Sequence, residues 1–240
     1  MRCTHTCEIF THEEIIDRAE SDINQNYPWP ELNLHTAVQN TESEEWKSLL
    51  HLVEEAILDE RQVFSPKKSL GDIWCKIITL PKSIANLKAV TSLDLYGSNL
   101  LSIPVEVGQM ENLEDITPYT SYGLHWFPYE ITKCKKLRLS TVSTRALYGN
   151  FKYRLPFPRV NTEETKNFIN PKKCSVCGAD ISKDNVIQVW ISLRVATDVL
   201  PLLVNACSEN CINSIPPGAE GYRQTPHQGG IEIVQPPAKW

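Results

Sequence analysis

Apolar residues recur three, six and nine positions after each of three prolines. Pro81 precedes Ile84, Leu87 and Val90; Pro104 precedes Val107, Met110 and Leu113; Pro128 precedes Ile131, Cys134 and Leu137. The prolines stand 23 and 24 residues apart. A fixed period of this length marks units that cannot each bury their own apolar face and that stack on their neighbours. Upstream the spacing is helical. Thr41 and Glu44 form a capping-box pattern ahead of Trp46, Leu49, Leu50, Val53 and Ile57, which share one helical face. Thr11 and Glu14 form another ahead of Ile15, Ile16 and Ala19, and Pro28 and Pro30 break the chain between the two. Downstream, Val186, Ile187, Val189, Ile191 and Val195 favour strands.

The best-formed unit, VTSLDLYGSNLLSIP from Val90 to Pro104, places Val90, Leu93, Leu95, Leu100 and Ile103 on the five apolar positions of L-x-x-L-x-L-x-x-N-x-L-x-x-L-P. This resembles the leucine-rich repeat family, which implies a short strand, a turn and a helical or irregular return in each unit. Ser98 stands where the family has asparagine, and Asn99 falls one place late. In the next unit Leu113 and Ile116 fit, but Pro118 takes a strand position and one extra residue precedes Pro128. A fourth unit from Leu137 keeps Val142 and Leu147, and an incomplete first one lies at Ile77, Leu80 and Pro81. The resemblance covers about residues 67 to 160.

The expected architecture is therefore α/β: a helical N-terminal cap over residues 1–66, a short leucine-rich repeat solenoid over 67–160, and a linker with a small zinc-binding domain over 161–240. The polar, proline-bearing segment 156–173 reads as the linker. The tail after Pro216 reads as coil, with Ile231, Ile233 and Val234 as a last strand.

Composition narrows the function. The chain has 240 residues, 41% of them hydrophobic, enough for one or two domains with a core. Its most apolar stretch, from Ile187 to Cys207, is interrupted by Arg194, Asp198 and Pro201, so no membrane span is expected. The first residues lack the apolar run of a signal peptide, and a cytoplasmic location is expected. The net charge of −5 conceals an asymmetry. Residues 1–61 carry 14 acids against 4 bases, whereas 133–173 carry 11 bases against Glu163 and Glu164.

Eight cysteines without a secretion signal point to metal ligands or buried thiols. Cys174 and Cys177 form one close pair; Cys207 and Cys211 form a second, separated from Cys177 by 29 residues. Four thiolates arriving as two pairs suit a tetrahedral, structural Zn2+, with reduced core cysteines as the alternative. Gly178 permits a tight knuckle after the first pair, and Ser208 can cap a helix carrying Cys211. Knuckle, hairpin and helix start resemble a treble-clef zinc finger, although C-x-x-x-C replaces that family's more usual C-x-x-C. His227 is a candidate to support or replace one ligand, against a surface-loop reading. Cys3 and Cys7, with His5 and His12, have ligand-like spacing for a second metal, and Cys134 reads as a core thiol despite its lysine neighbours.

No G-x-S-x-G, P-loop or dinucleotide fingerprint occurs, so no enzyme is expected. The repeat resemblance implies a strand face that binds an unidentified protein or peptide through Asp94, Tyr96, Thr117, Tyr119, Thr141 and Ser143. The competing expectation is nucleic-acid binding, in which the bases of 133–173 neutralise phosphates and Tyr148, Phe151, Tyr153 and Phe157 stack on bases.

Overall fold

The computed structural model describes residues 34, 37–150 and 155–236. Each of the three prolines caps a five-residue 3-10 helix: Lys82–Asn86 after Pro81, Val105–Gln109 after Pro104, and Tyr129–Lys133 after Pro128. The proline φ of about −70° suits an extended residue at the helix entrance. Successive i to i+3 bonds then carry the chain onward. The N–H groups of Ile84, Leu87 and Val90 donate to the carbonyls of Pro81, Ile84 and Leu87 at 3.0–3.2 Å. A 3-10 helix has three residues per turn, so positions three apart eclipse. This explains the three-residue apolar period: eight of its nine members are buried, and Leu137 is half-buried.

Alternating with these helices along the chain are short strands β1 (Val63–Phe64), β2 (Ser92–Asp94), β3 (Asp115–Thr117) and β5 (Leu139–Ser140), paired in parallel in the order β1-β2-β3-β5. Leu93 stands opposite Ile116, and Ile116 opposite Ser140. The turns after the strands are stitched by buried serines. Ser98 and Ser121 share a 2.6 Å hydrogen bond between their hydroxyls, and the Ser98 oxygen accepts from the Leu100 N–H. Asn99 donates instead to the Cys75 carbonyl at 2.6 Å.

Helix α1 (Glu44–Leu58) packs Trp46, Leu49, Leu52, Val53 and Ala56 against this core, with Leu50 and Ile57 partly buried beside them. Its cap is Ser43, whose oxygen accepts the Trp46 N–H at 3.2 Å, and not Thr41 two residues earlier. A short helix α2 (Pro66–Leu70) follows β1. The helix expected near Thr11 lies outside the described residues.

The C-terminal part is a hairpin of β6 (Ile187–Val195) and β7 (Asp198–Ala206), followed by α4 (Glu209–Asn213). Strand β4 (Phe127–Pro128) pairs in parallel with β7, giving a mixed three-stranded sheet. One apolar cluster runs from Trp46 through Leu93, Ile116 and Phe127 to Val189, Leu202 and Ile215. The described residues thus form a mixed α/β structure with one parallel and one mixed sheet.

Segment 156–173 is not a free linker. Phe157 and Val160 are buried in a second cluster with Trp126, Tyr148 and Trp190, and α3 (Glu163–Ile169) begins at a Thr162–Thr165 capping box. Among the described residues the tail forms no last strand: Gly229 and Gly230 adopt positive φ, a turn bonds Ile233 N–H to the Gly230 carbonyl, and Ile231 and Val234 are exposed. The tail is pinned instead at His227, whose backbone exchanges hydrogen bonds of 2.7 and 3.1 Å with Trp190. Among the described residues no helix is long and apolar enough to cross a membrane.

Candidate metal centre and strand face

Cys174, Cys177, Cys207 and Cys211 bring their sulfurs within 4.8 Å of one another. The first pair sits on a knuckle closed by Gly178 N–H donating to the Cys174 carbonyl (2.9 Å) and Cys174 N–H to the Ala179 carbonyl (2.8 Å). Gly178 takes φ +77°, which a side chain would strain. The Ser175 N–H and hydroxyl bond the Asn205 backbone at 2.8 and 3.1 Å, fixing the knuckle to β7. Cys207 directly follows β7, and Cys211 lies in α4, whose cap Ser208 accepts the Cys211 N–H at 3.3 Å. The hairpin closes the 29-residue gap and returns the second pair to the first.

The sulfur spacing decides between disulfide and ligand chemistry. Cys177 and Cys207 are 3.6 Å apart, Cys207 and Cys211 3.5 Å, and all four thiols are free. A disulfide needs about 2.05 Å. Tetrahedral thiolates bound at about 2.3 Å stand about 3.8 Å apart. The donor set therefore fits a metal ion.

The thiols of the cluster are shifted in opposite directions. Burial pushes the Cys174 thiol up, but the N–H groups of Cys177, Val176 and Cys207 outweigh this and bring it down to about 7. Cys211 is pushed up to about 12, chiefly by its hydrogen bond with the Cys207 sulfur. Clustered thiols resist ionising together, and a bound dication reverses that preference.

His227 is not part of this centre. It is buried, its Nδ1 accepts the Gly229 N–H at 3.2 Å, and its ring meets Phe157 edge-on at 4.7 Å. Cys134 is a core thiol: its S–H donates to the Val107 carbonyl at 3.2 Å, and burial pushes it up to about 11. Cys3, Cys7, His5 and His12 lie outside the described residues.

The second candidate region is the parallel sheet. Tyr96 and Tyr119 are both exposed and stack at 6.3 Å with an interplanar angle of 25°. The Trp74 indole N–H donates to the Tyr96 carbonyl at 3.3 Å and fixes the start of this wall. An open groove of about 470 Å³ is lined on its strand side by Ser92, Asp94, Tyr96, Asp115 and Thr117 and on the α2 side by Ser65, Lys67 and Lys68. Thr141 is exposed but outside the groove lining. Ser143 does not face outward: it is buried, and its oxygen accepts the Thr120 N–H at 2.8 Å. The strand ends at Ser140, so the outward alternation expected through Ser143 has already stopped. The α2 side carries no signal in the sequence beyond the helix start at Ser65-Pro66.

Three bases of the basic strip are held in ion pairs. Arg138 pairs with Glu114, Arg159 with Glu232 and Lys173 with Asp180, at 2.7–2.8 Å. Tyr148 and Phe157 are buried against Trp190, so neither ring offers a face to a nucleic-acid base. Phe151 and Tyr153 lie outside the described residues. No protein-family model matches the sequence, and no curated protein does.

Proposed function

We propose that the chain is a non-catalytic protein-interaction module: a short leucine-rich-repeat-like solenoid whose strand face binds a peptide, braced by a structural zinc ion. The observation that carries this reading is the exposed Tyr96–Tyr119 stack beside an open groove on the parallel sheet. Rigid tyrosines offer large contact area at low entropic cost, and two of them side by side on a polar face have no role in the core. The parallel pairing of strands 23 and 24 residues apart, each linked through a proline-capped 3-10 helix, supports a stacked-repeat reading.

Cys174, Cys177, Cys207 and Cys211 would hold the zinc. A four-sulfur tetrahedral donor set favours zinc over hard cations and leaves no coordination position for substrate, which makes the ion structural. The order of knuckle, hairpin and short helix supports a treble-clef-like unit.

Selection of a random phage-displayed peptide library on the full chain, with counter-selection on a Tyr96→Ala/Tyr119→Ala variant, tests the proposal. Peptides that require the two tyrosines are the expected result. Failure to recover any tyrosine-dependent peptide would remove the strand face as a binding surface.

A further inference from the structure

We propose that the groove over β1 to β3 receives the guanidinium of an arginine side chain presented by the partner peptide; this rests on the peptide-binding reading above. The two carboxylates of the groove are pre-positioned and lack a cation. The Asp94 carboxylate accepts the Ser65 hydroxyl at 2.7 Å through one oxygen and the Tyr96 N–H at 3.2 Å through the other. The Asp115 carboxylate accepts the Ser92 hydroxyl at 3.1 Å. These donors are all neutral, and among the described residues neither aspartate forms an ion pair. The neighbouring sheet acid differs, because Glu114 is neutralised by Arg138 at 2.7 Å.

A carboxylate oxygen accepts more than one hydrogen bond, so both aspartates keep capacity for N–H donors. The aromatic wall selects among cations. Tyr96 lines the groove together with Asp94 and is stacked on Tyr119, and a planar guanidinium lies on a ring face while its edge donates to carboxylates. A lysine ammonium, a compact and strongly hydrated charge, does not do both. The opposite wall sets the direction of entry. Lys67 is drawn toward Asp72 at 3.7 Å and the Gly71 carbonyl at 3.4 Å, whereas Lys68 is exposed on the groove edge. The arginine is therefore steered to the strand side, away from Lys68.

The test is an NMR titration of the full chain with N-acetyl-arginine methylamide and with its neutral isostere, N-acetyl-citrulline methylamide, read on the tyrosine ring signals. The expected result is a saturable shift of Tyr96 and Tyr119 with arginine and none with citrulline. Asp94→Asn/Asp115→Asn should weaken it about tenfold, the loss of charge assistance, and Lys68→Ala should strengthen it about twofold by removing one like charge. Asparagine keeps the acceptor geometry, and Tyr96→Ala at an exposed ring provides a second variant, also expected to weaken binding. Absence of a saturable shift, an equal response to citrulline, or affinity unchanged in the aspartate variant would each overturn the proposal. The phage selection separates the two readings. Tyrosine-dependent peptides without enriched arginine would sink the arginine site and leave the peptide face standing; no tyrosine-dependent peptides would sink both.

Discussion

The Ser140 hydroxyl donates a 2.8 Å hydrogen bond to the carboxylate of Asp198, 58 residues further along the chain. The same hydroxyl reaches the Val195 carbonyl at 3.1 Å, and the Val142 N–H donates to Asp198 at 3.3 Å. The last strand of the parallel sheet is thereby tied to the turn of the cysteine-bearing hairpin, while β4 pairs with β7 on the far side. Asp198→Ala is expected to cost about 1–2 kcal/mol, because it leaves the Val142 N–H without its acceptor and the Ser140 hydroxyl with the Val195 carbonyl alone. Urea unfolding at constant slope measures this. A loss under about 0.5 kcal/mol, within the range of an ordinary surface substitution, would mean that the apolar contacts alone hold the junction.

The serine pair between the turns yields a second prediction. Ser98 and Ser121 are buried, bonded to each other at 2.6 Å, and Ser121 also donates to the Leu95 carbonyl at 3.3 Å. Each single alanine variant is expected to lose about 1–2 kcal/mol, since the partner hydroxyl is left buried and short of a bond. The double variant should lose less than the sum, with a coupling of about 1 kcal/mol. Strict additivity in a double-mutant cycle would show that the two hydroxyls act independently.

These contacts separate what the sequence discloses from what it does not. The three-residue period was legible because every member faces the core, and the four-cysteine centre because both pairs are local and each carries its own turn residue, Gly178 or Ser208. Ser98 departs from the asparagine pattern, and its partner Ser121 emerges only when β2 and β3 pair. Asp198 carried no signal in the sequence except as a charge that breaks an apolar run, because its donors come from a distant strand. The surface-loop expectation for His227 fails for the same reason. Its loop is glycine-rich and polar, and only the pairing with Trp190 buries it. Segment 156–173 misled because its polar residues are satisfied locally, as in the Thr162–Thr165 box, while Phe157 and Val160 do the packing.

Metal content and stability should change together. One zinc per chain is expected by elemental mass spectrometry. Cys174→Ser or Cys211→Ser should abolish it and lower stability by a few kcal/mol, as metal binding is linked to folding. The loss should not be confined to the last unit, because Val189, Leu202 and Val204 belong to the same core as Leu93 and Ile116. A strong chelator should reproduce the effect in the parent chain and leave the variants unmoved. Parent and variants with equal melting temperatures and equal metal content would exclude a metal role for these cysteines.

The His227 imidazole makes folding sensitive to acid. Burial, reinforced by the charge of Arg223, lowers its pKa from 6.5 to about 4. Its Nδ1 accepts the Gly229 N–H, a bond that protonation of Nδ1 would remove. The unfolded chain takes up this proton near pH 6.5 and the folded chain only near pH 4, so the unfolded state gains protons first as pH falls. Stability attributable to His227 is therefore constant above about pH 6.5 and declines by roughly 3 kcal/mol on descending to pH 4. Glu130 acts in the opposite sense: burial raises its carboxyl pKa, so the folded chain takes up that proton before the unfolded one does. Comparing the parent with His227→Asn cancels this shared contribution, because asparagine keeps an acceptor for Gly229 but does not titrate. The variant is expected to be less stable at pH 7 through lost contact with Phe157, and to close most of that gap by pH 4. Denaturant unfolding of both proteins between pH 7 and pH 4 measures the difference, and parallel curves would show that His227 titrates alike in the folded and unfolded chains.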